Sequence, residues 1–156
     1  MPKPALHSIA PDFTAPVVGG GHKDGDNVTL SELKGQNVVL YFYPKDDTPG
    51  CTKQACGLRD GWKAISQKAL VFGVSTDSIK RHAKFILKHE LPFPLIADED
   101  HTIVNAYGVW VEKSLYGRKY MGTERSTFVI GKEGKISAIL EKVKPEAHLE
   151  SVLAAL

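Results

Sequence analysis

The chain has 156 residues, 42% of them hydrophobic and 24% charged, with a formal net charge of +2. That suits one domain with its own core, is too mild a charge to single out nucleic acid as a partner, and leaves no apolar run near the ~20 residues of a membrane span. The first residues, MPKPALHSIAPDF, contain no apolar stretch of signal-peptide length. The expected compartment is therefore the cytoplasm, where thiols rest reduced and a disulfide is more often catalytic than structural.

Ala10–Pro16 reads as extended, with Pro11 and Pro16 as breakers. Three consecutive glycines and further turn residues make Gly19–Asp26 a long hairpin-like loop, with Asn27–Leu30 as a short return strand. No Gly-Lys-Ser/Thr follows, so it is not a phosphate loop. Ser31 is expected to cap a single turn that Gly35 ends. Val38–Tyr43 (VVLYFY) is apolar on both faces and predicts a central, buried strand. A helix over Thr52–Gln67 follows, then a second buried strand, Leu70–Ser75. Asp77 or Ser78 caps a helix from Ile79 to His89, with Pro92 beyond its end. Pro94–Ala97 reads as a short strand, His101–Tyr107 as a short helix stopped by Gly108, and Trp110–Met121 as a polar, aromatic loop. Ser126–Ile130 and Lys135–Val143 form two strands around the turn Gly131–Gly134, and Pro145 opens a last helix. Strands alternating with helices, then a late hairpin, predict an α/β fold: one domain over residues 1–156, a mixed central sheet, and helices on both faces.

The stretch Tyr41–Asp60, YFYPKDDTPGCTKQACGLRD, holds the two cysteines of the chain, Cys51 and Cys56. Cys51 follows a Pro-rich turn and opens the predicted helix. A helix N-terminus offers free backbone N–H groups and partial positive charge, and a cysteine there can have its pKa drawn from about 8.5 into the range of roughly 3.5–7.5. Thr48 could turn its hydroxyl toward the sulfur, Pro44 and Pro49 stiffen the turn, and Gly50 permits close backbone approach. The competing reading is a buried, inert cysteine. Residues five apart on a helix have Cα atoms roughly 8.5 Å apart, whereas a disulfide wants about 4.4–6.8 Å. If Cys51 and Cys56 pair, the first turns of the helix must unwind. Gly57 and Gly61 weaken that segment by about 1 kcal/mol each, although close packing would also explain a glycine.

Other chemistries have weaker signals. C-x4-C could supply half a zinc site, but the six histidines (His7, His22, His82, His89, His101, His148) are scattered. His82 and His89 read as exposed helix histidines. Lys80, Arg81, Lys84 and Lys88 read as a solvated helix face. No G-x-S-x-G is present.

The run YFYPKDDTPGCTKQAC, with APDF before it and YGVW and ERSTFVI after it, resembles the peroxiredoxins of the bacterioferritin comigratory protein (PrxQ) type. The resemblance runs from about Ala10 to the last helix and implies a thioredoxin-like fold that reduces hydroperoxides. Its P-x-x-x-T-x-x-C core falls on Pro44, Thr48 and Cys51. By that match Cys51 is the peroxidatic cysteine and Cys56 the resolving cysteine of the same helix. The distant active-site arginine falls on Arg125, which without the match would read as a surface partner of Glu124. The implied cycle needs no metal or organic cofactor. Cys51 thiolate becomes a sulfenic acid, Cys56 closes an intramolecular disulfide, and thioredoxin is the expected reductant. A bridge within one chain favours a monomer. Gln54 departs from the Glu often found there, and the Gly19–Asp26 loop looks longer than the family leads one to expect.

Two rival functions share the fold class. A general thiol–disulfide oxidoreductase would be expected to carry C-x-x-C instead. A redox sensor would be oxidised once and wait, without turnover.

Overall fold

The computed structural model describes residues 2–156, with the Asp24 side chain outside the description. Among the described residues, nine strands and five helices follow one another as β1 (Thr14–Gly19), β2 (His22–Thr29), β3 (Val38–Phe42), α1 (Pro49–Asp60), α2 (Trp62–Ser66), β4 (Leu70–Ser75), α3 (Ile79–His89), β5 (Leu95–Ala97), α4 (Thr102–Ala106), β6 (Trp110–Leu115), β7 (Arg118–Thr123), β8 (Ser126–Ile130), β9 (Ile136–Leu140) and α5 (His148–Ala155). Seven strands form one mixed sheet in the order β2-β1-β5-β4-β3-β8-β9. The central strands β3, β4 and β5 are parallel, and β8 returns antiparallel to β3.

The central strands lack polar alternation because both faces are covered. Leu40 and Phe42 join Phe72, Val74, Phe128 and the α4 residues Ile103 and Val104 in one core. Val39, Tyr41 and Tyr43 point the other way. They meet Ala55 and Leu58 of α1, Phe85 of α3 and Val152 of α5 in the second core. Cys51 belongs to that second core, so the reactive stretch lies on the face covered by α1, α3 and α5.

Four local expectations are corrected. The loop at Gly19–Asp26 is mostly strand: β2 begins at His22, and the turn is confined to Gly20 and Gly21, both at positive φ. A Cβ on Gly20 would lie 2.5 Å from Pro94 Cδ, so the turn also needs the missing side chain. The predicted Thr52–Gln67 helix is two helices. Gly61 is the C-cap of α1, and a Cβ there would sit 2.4 Å from Leu149 Cδ2 of α5, so close packing keeps the position glycine. The Trp110–Met121 loop is a hairpin in which β6 and β7 pair antiparallel around Tyr116-Gly117. Both turn residues have positive φ, 51° and 76°, as a type I′ turn requires. Tyrosine in place of the usual Asn or Asp concealed that turn. Finally, Pro145–Ala147 is a separate 3-10 turn, and α5 starts at His148.

No helix among the described residues is long and apolar enough to cross a membrane. The basic face of α3 is partly engaged within the chain. Arg81 pairs with Asp77 at 2.8 Å and Lys88 with Asp47 at 3.0 Å.

Candidate active site

The chain leaves β3 at Phe42, runs through Tyr43–Thr48, and enters α1 with Pro49 as the first helical residue. Proline suits that position because its missing N–H would have no intrahelical partner. Cys51 is therefore the third residue of the helix, in the turn whose N–H groups are free and whose dipole end is positive. It is 2% exposed, and it shares a buried helix face with Gln54, Ala55 and Leu58 at spacings of three, four and seven. Cys56, five residues on, is half-buried, and both thiols are free.

Arg125 arrives from the other side of the site, just ahead of β8. Its Nη2 donates to Cys51 Sγ at 3.4 Å, and its Nη1 donates to Gln54 Oε1 at 2.5 Å. A Cβ on Gly50 would lie 3.2 Å from Nη2, so the glycine before the cysteine leaves room for the guanidinium. Glu124 is turned away and pairs with Lys3 at 2.8 Å. The alternative of an Arg125–Glu124 surface pair is thus not realised.

Behind Gln54 stands His148. Gln54 Nε2 is 3.1 Å from His148 Nδ1, and His148 Nε2 is 2.8 Å from Thr127 Oγ1 of β8. Burial first, and then the Arg125 charge, hold this imidazole down to about 3, so it is neutral at physiological pH. Its ring lies against Tyr41, with centroids 5.4 Å apart.

Thr48 caps α1 only with its backbone: its carbonyl accepts from Thr52 N at 2.8 Å, while its hydroxyl donates to Lys45 O at 2.8 Å. The expectation that this hydroxyl points its hydrogen at the sulfur is corrected, since that hydrogen is spent inside the turn. Its oxygen retains lone pairs for an incoming donor. Pro44 is half-buried at the end of β3.

The turn itself is anchored by groups that sequence reasoning missed. Asp46 is buried, accepts from Tyr43 Oη at 2.5 Å, and lies 2.6 Å from His82 Nδ1. Its backbone N–H donates to Asp77 Oδ2 at 2.8 Å. His82 is fully buried, contrary to the exposed position expected, and its Nε2 meets Ile96 O at 2.9 Å. Asp46, Asp77 and His82 bring three ligand atoms within 4.8 Å of one another. These atoms are already used by one another and by Tyr43, Ser75 and Arg81, so the cluster works as a clasp rather than a cation site.

Cys51 thus stands at a helix N-terminus, faced by an arginine that also holds Gln54. The AhpC/TSA family pattern matches residues 6–139. The chain belongs to this family. It is 46% identical over 148 residues to the peroxiredoxin Bcp of Bacillus subtilis, covering 94% of this chain and 91% of that protein. It is 42% identical over 146 residues to the peroxiredoxin Bcp of Escherichia coli, covering 93% and 90%. Among solved structures it is similar to the bacterioferritin comigratory protein of Xanthomonas campestris, with a TM-score of 0.83, 37% identity, and coverage of 92% and 88%. It is also similar to a cysteine-to-serine mutant of Xylella fastidiosa PrxQ, with a TM-score of 0.84, 34% identity, and coverage of 97% and 96%. The fold is thioredoxin-like, with a mixed sheet covered by helices, as the resemblance implied. Membership of this peroxiredoxin family implies thiol-dependent peroxide reduction.

Gln54 and His148 come together with Arg125 and Cys51 only in three dimensions. A polar residue three after Cys51, on the same helix face, was a usable signal for Gln54. Nothing local marks His148 or Thr127, which are 94 and 73 residues from Gln54 in sequence.

Proposed function

We propose that the chain reduces hydroperoxides through Cys51 as the peroxidatic thiolate, with Cys56 as the resolving thiol and a thioredoxin-type dithiol as reductant. The observation that carries this is the 3.4 Å contact of Arg125 Nη2 with Cys51 Sγ at the third position of α1. A guanidinium and a helix N-terminus favour negative charge on sulfur, and the same two donors stabilise charge developing on a peroxide oxygen.

The thiolate attacks the terminal oxygen of R–O–O–H. The O–O bond breaks, sulfur is oxidised to Cys51–S–OH, and R–O⁻ takes a proton and leaves as R–OH. Thr48 Oγ1, whose hydrogen is given to Lys45 O, accepts a hydrogen bond from the peroxide O–H, and Pro44 shields the sulfur from water. Cys56 thiolate then attacks the sulfenic sulfur. An S–S bond forms, hydroxide departs, and it is protonated to water. Both cysteines sit in one continuous helix, where their Cα atoms stand roughly 8.5 Å apart, beyond the reach of a disulfide. α1 must therefore open before they meet. A dithiol restores both thiols by exchange. No metal or organic cofactor enters the cycle. A bridge within one chain lets a monomer suffice, and a cytoplasmic setting keeps both thiols reduced between turnovers. A protein disulfide is a poorer fit as substrate, because the 2% exposure of Cys51 leaves room for a small oxidant and not for a folded partner.

The test is the intact mass of the reduced protein after one equivalent of hydrogen peroxide, with thiol labelling and peptide mapping. Loss of two hydrogens within seconds, with Cys51 and Cys56 linked in one chain, is the expected result. Two free thiols after minutes would reject peroxide as the substrate.

A further inference from the structure

We propose that His148 is a redox-coupled positioning residue: through Gln54 it holds Arg125 against Cys51 while α1 is closed, and it becomes a titrating, solvated histidine when Cys51 and Cys56 join. The proposal rests on the peroxidase reading for the role of the disulfide, but its evidence is the bonded chain Thr127–His148–Gln54–Arg125–Cys51.

Donor and acceptor roles along that chain are fixed from one end. Arginine can only donate, so the Gln54 oxygen faces Arg125 and its NH2 faces His148. His148 Nδ1 must then accept, which leaves the hydrogen on Nε2, donated to Thr127 Oγ1. A second proton on the ring would set donor against donor at Gln54 and add a cation beside Arg125. Closed α1 therefore requires neutral His148. The groups that face the ring are few in kind. α1 supplies the Gln54 amide, β8 the Thr127 hydroxyl, β3 the Tyr41 phenol, and the segment before β8 the Arg125 guanidinium. Glu150, two residues along its own helix, is exposed. Burial and the Arg125 charge both oppose protonation.

Gln54 lies between the two cysteines, inside the segment that must unwind for them to meet. When it leaves, His148 loses its Nδ1 partner, Arg125 loses its Nη1 acceptor, and water reaches the ring. The imidazole then returns toward the ordinary histidine value near 6.5. Oxidation of the dithiol releases two electrons and the thiol protons. Below about pH 6.5 the opened His148 takes one proton back. Each pH unit below that value therefore favours the disulfide form tenfold relative to a chain without that histidine, so the potential changes with pH less steeply by about 29.6 mV per unit for a two-electron couple. The arginine is pinned when peroxide arrives and released when the disulfide forms, so the anchor acts in one half of the cycle only.

The experiment is a histidine-ring NMR titration of the full chain, reduced and disulfide-bonded, from pH 4.5 to 8. The disulfide is made in parallel with diamide and with hydrogen peroxide. Proximity signals to Thr127 assign the His148 resonance in the reduced form without a variant, and its absence from His148→Asn assigns it in the oxidised form. Expected are no His148 titration in the reduced protein and a midpoint near 6.5 in the disulfide form. A second readout is the midpoint potential between pH 4.5 and 6, where His148→Asn keeps an acceptor for Gln54 but cannot titrate. Its slope should differ from wild type by the tenfold factor per pH unit. Equal midpoints in the two redox forms, or equal slopes, overturn the coupling. A disulfide formed by diamide but not by peroxide, with His148 shifted, would overturn the peroxidase function and leave the anchor standing. No Cys51–Cys56 disulfide with either oxidant would overturn both.

Discussion

Arg125 touches the sulfur and the residue beside it, so replacing it separates charge from geometry. Arg125→Met removes the Nη2–Sγ contact at 3.4 Å and the Nη1–Gln54 bond at 2.5 Å. A hydrogen bond to a charged group contributes about 1.5–3 kcal/mol. At about 1.36 kcal/mol per tenfold, loss of the sulfur contact alone slows Cys51 oxidation roughly 10- to 150-fold. On the proposed mechanism the same donor would face the oxygen on which charge develops, and losing a preorganised donor there costs roughly 10²- to 10³-fold. The expected loss for Arg125→Met is therefore at the upper end, roughly 10²- to 10³-fold. Arg125→Lys keeps the charge, but one ammonium cannot reproduce the fork that holds Gln54 and sulfur together. It should lose roughly ten- to a hundredfold. The assay is the second-order rate of Cys51 oxidation by hydrogen peroxide under pseudo-first-order conditions, followed by rapid quench and thiol labelling. A rate for Arg125→Met within twofold of wild type would refute an active role for the guanidinium and leave it a structural tie to Gln54.

The other expectations are as direct. Cys51→Ser should abolish turnover, whereas Cys56→Ser should consume one peroxide, stop at the sulfenic acid, and fail to recycle with thioredoxin; recycling at the wild-type rate would remove Cys56 from the mechanism. Gly57 has nothing within 4 Å of an added Cβ, so Gly57→Ala should stabilise closed α1 by about 1 kcal/mol and slow disulfide closure about fivefold, as read by quenched mapping. Gly61→Ala would drive a Cβ to 2.4 Å from Leu149 Cδ2 and should lower stability by about 1–3 kcal/mol in urea unfolding. The reduced protein should lose stability as pH falls from about 6.5 toward 3, because the unfolded chain protonates His148 there while the folded chain, held at about 3, does not. At about 1.36 kcal/mol per pKa unit this amounts to at most about 5 kcal/mol. Asp98, pushed up to about 6 by burial, works in the opposite sense across about pH 4 to 6. A flat stability profile for wild type that matches His148→Asn would remove the histidine from the balance.

What could be read from the sequence followed from period and local chemistry. VVLYFY and LVFGVS declare buried parallel strands because both of their faces are apolar, and the structure pairs them residue for residue from Val38 with Leu70 to Phe42 with Val74. Ser78 accepts from Arg81 N at the start of α3, one of the two caps expected there. The β6–β7 hairpin escaped notice because its strands are largely exposed, which removes alternation, and because its turn uses Tyr116 where the recognisable residue is Asn or Asp. At the site, the Pro44–Cys51 spacing is local and legible. The pairing of Arg125 with Cys51 could be approached only through resemblance. Gln54, His148, Thr127, His82 and Asp77 could not be combined at all, because their roles depend on which strand ends and helices the sheet order brings together.

The same contacts explain how α1 is held closed and where the opening that the proposed cycle requires would begin. Its own sequence is a weak source of helix, with Gly50, Gly57 and the terminating Gly61. The face that stays closed is held from outside: Cys51, Gln54, Ala55 and Leu58 are buried against the sheet, Gln54 is bonded to His148 and Arg125, and Leu149 fills the space over Gly61. α5 therefore supplies much of what the propensity of α1 does not. On the proposed cycle, oxidation of Cys51 would place a bulkier, polar sulfenic group at a site with 2% exposure, against the Arg125 donor that faces the sulfur. That step would weaken the end of α1 that external contacts secure, beside the two residues that the proposed disulfide would join only once the helix gives way.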